Sequence, residues 1–190
     1  MNRMWIAGMV AALVAGAGCG QKAQEKATEK LIERSLAAEG VDAQVDIAGD
    51  TMSFTATGAD GKKSNVRIAG DQMTIVGEDG TTSFRAGGAG PLPPEFPQDV
   101  LAYPGAAVVS SLTAPGSVNV ALQSADSAAD VAAKYQAEMA ANGWIAQSSF
   151  AQDGMSMLTF AKEDRTANVV IQAQDGGAQI NVTIATEPRD

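Results

Sequence analysis

Residues 127–144, SAADVAAKYQAEMAANGW, hold the reading that decides the fold. Val131, Tyr135 and Met139 recur every four residues, with Ala128 and Ala132 beside them, so one face of a helix is apolar. Ser127 stands where an N-cap belongs and Asp130 follows three residues later, a short-chain relative of the capping box. Asn142-Gly143 ends the helix, and Trp144 falls where a Schellman motif places its hydrophobic contact. A helix with a single apolar stripe must bury it against another element, and the flanking segments supply a sheet.

Upstream, Val108, Ser110 and Leu112 alternate with polar neighbours, as do Val118, Val120 and Leu122. Downstream, strand-like stretches run over Trp144–Phe150, Met155–Ala161, Asn168–Ala173 and Gln179–Ala185. Asp153-Gly154 and Asp175-Gly176 mark tight hairpins between them. The order β-β-α-β-β-β-β predicts an antiparallel sheet with one packed helix, an α+β domain over 99–187.

The residues before it read differently. Ile47-Ala48-Gly49-Asp50-Thr51-Met52-Ser53-Phe54 reappears as Ile68-Ala69-Gly70-Asp71-Gln72-Met73-Thr74-Ile75. Each copy is followed by a further turn, Ala59-Asp60-Gly61 and then Glu78-Asp79-Gly80. Val41, Ala43, Val45 and Ile47 alternate, as do Met52, Phe54 and Ala56, so 41–85 is expected to be a small β-meander of about five strands. Two copies are too few for a propeller or solenoid. Residues 86–98 (AGGAGPLPPEFPQ) break every period and read as a Pro/Gly linker between two domains.

Gln21 to Ala38 reads as a charged helix within a segment 19–40. Lys22/Glu25, Lys26/Glu29 and Lys30/Glu33 are spaced to attract, while Ala23, Ala27, Leu31, Ile32 and Leu36 form a narrow apolar stripe. It is expected to pack weakly on the meander as its cover; binding a partner beside an anchor is the alternative.

Residues 1–18 have the layout of a secretory signal: Arg3, an apolar run from Met4 to Val14, then Gly16-Ala17-Gly18 ahead of Cys19, the only cysteine. The run is too short and too rich in Ala and Gly for a spanning helix, which needs ~20 apolar residues. A small-residue site followed by cysteine resembles the lipobox of bacterial lipoproteins, although Gly16 stands where that family usually has Leu. The resemblance implies that Cys19 is the lipidation residue, carrying a diacylglyceryl group. With Gly20 rather than Asp next to it, it also implies sorting to the periplasmic face of the outer membrane. Ala15-Gly16-Ala17 also fits ordinary cleavage, the lesser alternative, which would leave a soluble chain beginning at Gly18 with Cys19 as a free thiol.

A second resemblance covers Pro94 to Glu187. The segment Phe96-Pro97-Gln98-Asp99-Val100, then Tyr103-Pro104-Gly105-Ala106, Asp126-Ser127, Tyr135, Met139, Gly143-Trp144 and Lys162 are similar to a recurrent domain of uncharacterised bacterial lipoproteins. That family carries no catalytic motif, so the resemblance implies a fold and no chemistry.

Composition narrows the function classes. The 190-residue chain has formal net charge -9, which argues against nucleic acid, whose phosphates need clustered Lys and Arg. There is no histidine, which removes the commonest general base and metal ligand. No Ser-x-x-Lys, Gly-x-Ser-x-Gly or phosphate-cradling loop occurs. Asp60, Glu78, Asp79, Asp153 and Asp175 could be considered for calcium, but Asp-Gly is the ordinary hairpin dipeptide and the six to eight converging oxygens are not set out locally. Met52, Met73, Met155 and Met157 could be soft ligands for Cu(I), yet gap-filling in a core is the usual role of methionine. No catalytic residue, cofactor or metal is therefore assigned. The expectation is a lipid-anchored envelope protein acting as a non-catalytic binding or accessory module for a protein, peptide or glycan. The alternative is a small-ligand carrier or an enzyme with a carboxylate-based site.

Overall fold

The computed structural model describes residues 21–38, 42–57 and 61–187. Signal residues 1–18, Cys19 and the Ala59-Asp60 turn positions lie outside them. The elements are α1 (Gln21–Ala38), β1 (Asp42–Ala48), β2 (Thr51–Thr57), β3 (Lys63–Ala69), β4 (Gln72–Gly77), β5 (Gly80–Gly90), β6 (Ala107–Ala114), β7 (Ser117–Ser124), α2 (Ala128–Ala141), β8 (Ile145–Gln152), β9 (Met155–Lys162), β10 (Arg165–Gln174) and β11 (Gly177–Thr186).

The expectation of a helix plus small meander, a linker and a separate α+β domain is overturned. The described residues are predominantly β, and their eleven strands form one sheet in the order β1-β2-β3-β4-β5-β6-β7-β11-β10-β9-β8. The join is β5 with β6: Ser83 pairs Thr113, Phe84 pairs Leu112, and Ala86 and Gly90 pair Ser110 and Val108 across an irregularity. Two separate sheets would each have left a bare edge of unpaired N–H and C=O groups at this point; pairing β5 with β6 satisfies both. The glycines of the linker serve the irregularity, with Gly87 at φ 107 and Gly88 at φ 68, conformations other residues rarely adopt. The prolines after them do not dangle either. Leu92 and Phe96 pack on the core, and the chain from Leu92 to Ala106 is a strap over the sheet.

The core lies on one face of β6–β11. Val118, Ile184, Ala167 and Phe160 share one cross-strand row, Val120, Val182, Val169 and Leu158 the next, and all are buried. α2 lays Val131, Tyr135 and Met139 over β8–β11, as its periodicity required. Its ends are as read. The Ser127 side chain accepts from the Asp130 N–H at 3.2 Å. Gly143 has φ 80, with Gly143 N–H donating to Ala140 O and Trp144 N–H to Met139 O, the paired bonds of a Schellman motif.

α1 is not the cover of the meander. It contacts β1 and no other described element. Glu33 accepts from the Val45 N–H at 3.1 Å and Glu29 from the Ile47 N–H at 3.0 Å, so two glutamates occupy the donors of an edge strand. Among the hydrophobics described on β1–β5, Val45 alone is buried.

Candidate functional site

Two features outside the packed core qualify as sites: a knot of charged and aromatic groups beside a cleft, and an open sheet face. The knot gathers three of the residues that carried the second resemblance, Asp99, Trp144 and Lys162. Asp99, on the strap, accepts from Arg165 through both carboxylate oxygens, at 2.9 and 2.7 Å, and from Lys162 Nζ at 2.7 Å. Lys162 also donates to Asn142 O at the end of α2, at 2.8 Å. The Trp144 indole N–H donates to Asp99 O at 2.9 Å, and the Arg165 guanidinium lies over the same ring, 5.0 Å from its centroid. The forked Arg165 pairing, helped by Lys162, outweighs desolvation and holds the Asp99 carboxyl well below its usual range. Arg165 is correspondingly held more firmly protonated by Asp99.

A second aromatic pair sits on the same side. Tyr103 donates to Asp126 Oδ2 at 2.6 Å and stacks on Tyr135, with ring centroids 6.0 Å apart. Burial first, then the Asp126 hydrogen bond, pushes the Tyr103 hydroxyl up to about 12. Tyr135 is raised too, by burial and then by Tyr103, and its hydroxyl finds no hydrogen-bond partner among the described residues. None of these shifts brings a group into titration near neutral pH. Asp99 stays ionised and the tyrosines stay protonated, so the knot ties the strap to the end of α2 and the β9–β10 hairpin.

Beside it a cleft of about 390 Å³ opens between the strap and the β6–β7 turn, lined by Glu95, Pro97, Thr113, Ser117, Arg165 and Thr186 among others. Arg165 and its link to Asp99 were missed by sequence reasoning. The available signal was the run Lys162-Glu163-Asp164-Arg165, a charged hairpin bracketed by two cations, which identifies no partner by itself.

The other site is a face. Partners across the ladder form one row through every strand: Ile47, Met52, Ile68, Met73, Phe84, Leu112, Asn119, Thr183, Asn168, Thr159 and Ser148. The row is apolar on β1–β6 and polar on β7–β11. The row beside it, on the opposite face, reads Asp46, Ser53, Arg67, Thr74, Ser83, Thr113, Val118, Ile184, Ala167, Phe160 and Ala146, which is polar first and apolar after β6. These two rows exchange polarity at β5–β6, although on the same face as Ser148 and Thr159 the cross-strand pair Phe150 and Met157 is 50% and 46% exposed. The apolar face of β1–β6 therefore points away from α2, and Val45, Phe54, Val66 and Ile75 form its second apolar row. Exposure rises with distance from α1, from 7% at Val45 to 37% at Phe84 and 41% at Leu112.

The remaining residues singled out from sequence are scattered. Glu78 and Asp79 sit in the β4–β5 turn near Lys62, at 3.8 and 3.5 Å. Asp153 and Asp175 occupy separate hairpin turns, and among the described residues no three acidic groups come together as a metal site. Met52 and Met73 lie half-buried on the open face. Met157 is 46% exposed, so the core role expected for it is corrected: it points to the face opposite α2.

A START domain-like family matches residues 108–187, from β6 to the end of β11, which is less than half of the chain. No curated protein and no solved structure matches it. The similarity supports a binding module and bears on β6–β11 with α2, leaving the meander outside the match. No helix among the described residues is long and apolar enough to cross a membrane.

Proposed function

We propose that this chain is a lipid-anchored protein of the bacterial envelope, held through Cys19 on the periplasmic face of the outer membrane, and that it works as a non-catalytic binding module. The observation that carries the binding reading is the uncharged apolar face of the meander, left open over β2–β6 by both described helices, α1 reaching β1 alone. Contiguous exposed apolar surface on a soluble domain marks an interaction site. The START-like half then acts as a stiff frame, since one ladder runs from it into the meander. The non-catalytic reading draws support from the displaced groups, Asp99, Tyr103 and Arg165, which are engaged with one another or with Asp126. Small-ligand carriage has one observation in its favour, the 390 Å³ cleft beside Arg165.

The anchor is tested by detergent partitioning of the native protein beside Cys19→Ala, which is expected to lose the membrane fraction. An unmodified mature N-terminus at Gly18, found by mass spectrometry, overturns it. The binding reading is tested separately by photo-crosslinking from position 73 on the open face and from position 74 on the other face, in intact cells. Adducts from position 73 alone are expected, and equal labelling from both overturns the assignment of the face.

A further inference from the structure

We infer that the occupant of the open face is a second copy of this chain, packed sheet against sheet. The inference rests on the reading of that face as a binding surface and commits it to one partner. Three observations point to self-association. First, the face is uncharged. The alternation that places Ile47, Met52, Phe54, Val66, Ile68, Met73, Ile75 and Phe84 on one side sends Asp46, Lys63, Arg67 and Arg85 to the other. A chain of formal net charge -9 resists association with its copy through like charges, and the apolar rows of this surface present none of them. Second, the chemistry is that of the inner face of a β-sandwich, two rows of branched, Met and Phe side chains without polar interruption on β1–β4. Two such faces interdigitate at ~10 Å when their twists match, and a second copy brings an identical twist. A two-fold arrangement sets the same patch on itself and closes at the dimer. Third, the area suffices. The five strands β2–β6, each occupying ~4.8 Å and about seven residues long at ~3.3 Å each, present about 550 Å² per copy, or about 1,100 Å² in total, just above the ~1,000 Å² that a specific interface needs. The dimer is accordingly expected to be weak, with subunits in exchange.

The test is sedimentation of the full-length, detergent-solubilised protein over a range of concentrations, for wild type, Met73→Glu and Arg67→Glu. A monomer–dimer equilibrium in wild type is expected, weakened roughly tenfold or more by a carboxylate buried in the apolar interface and unchanged by Arg67→Glu on the opposite face. Because Met73→Glu could unfold the meander, Met73→Cys and Thr74→Cys are oxidised in parallel with wild type, which reports any linkage through Cys19. Disulfide-linked dimers from Met73→Cys above both controls are expected. A wild-type monomer at every concentration overturns the proposal. So does a dimer that survives Met73→Glu in a folded protein, or equal linkage from positions 73 and 74. If position 73 crosslinks in cells only to a different protein, the face remains a binding surface and the second copy is excluded as its occupant.

Discussion

Strands β1–β5 and β6–β11 belong to one ladder, with the same hairpin chemistry and similar alternation, yet they solve the problem of burial differently. On β7–β11 one face is closed by α2 and the strap, and Val120, Val169, Ile171, Ile180 and Val182 are fully buried. On β2–β5 no described helix lies over either face, and the apolar side chains stay partly exposed; α1 reaches β1 alone, where Val45 is buried. The first half has no core of its own and depends on the β5–β6 pairing for its place. The lesson is that strand pairing and burial are separable. A backbone ladder can extend a sheet beyond the reach of its core, and the extension presents apolar surface because no described element returns to cover it beyond β1.

The comparison can be broken by a pair of truncations. Trp144 is 3% exposed, and its replacement by Ala should cost ~3–5 kcal/mol, a large share of a domain's total stability of ~5–15 kcal/mol. Phe84→Ala on the open face should cost about 1–2 kcal/mol in the monomer, because its ring is already partly hydrated. Denaturant midpoints measured on dilute protein decide it, and equal costs would mean that the meander holds a core. The native indole should also resist a soluble quencher.

Glycines give a second, smaller contrast. A Cβ on Gly177 would run into the Ser124 carbonyl oxygen and Ala125 Cα, backbone atoms that cannot swing aside. Gly177→Ala should therefore cost about 1–3 kcal/mol or force a shift at the β7–β11 seam. At Gly70 a Cβ meets nothing within 4 Å, so Gly70→Ala should cost only the left-handed backbone penalty, about 1 kcal/mol. Thermal melts of the two variants test the ranking.

The Asp99 knot adds a pH dependence to the covered half. The folded carboxyl is held below its usual value of 3.8, so its stabilisation is complete above that value and is lost as pH falls toward the folded one. Asp99→Asn should cost about 1–2 kcal/mol at pH 7, and the gap from wild type should narrow progressively below pH ~3.8. A gap independent of pH would mean that the knot contributes shape alone. The smallest effect belongs to the edge of the meander: Glu33→Ala leaves the Val45 N–H without its acceptor and should cost about 0.5–1 kcal/mol, read as faster hydrogen exchange at Val45.

Local features were legible where they depend on neighbours in the chain. The Ser127 cap, the Gly143-Trp144 stop and the Val131/Tyr135/Met139 stripe stand in the structure as read. The strand order after α2 and the hairpins at Asp153-Gly154 and Asp175-Gly176 do as well. Of the candidate sites, the lead-in Asp99, Lys162 and Trp144 were visible as spaced residues, while the meeting of Lys162, Trp144 and Arg165 at Asp99 joins positions up to 66 residues apart. Nothing in the spacing reveals such a meeting.

Alternation sorts the residues of a strand into two sets, and that much the amino-acid sequence determined by itself. Which set faces the core was decided by tertiary structure. Val108, Ser110 and Leu112 alternate as if they shared a face, but an irregularity between Val108 and Ser110 shifts the register. Val108 stays in the core, Ser111 and Thr113 take the inward positions after it, and Leu112 turns outward to join Phe84. A one-residue slip exchanges the faces of everything beyond it. The physical reason is that a side-chain period of two carries no sign. The sign comes from which strand pairs with which, and β5 found β6 across a run of glycine and proline that has no period to read.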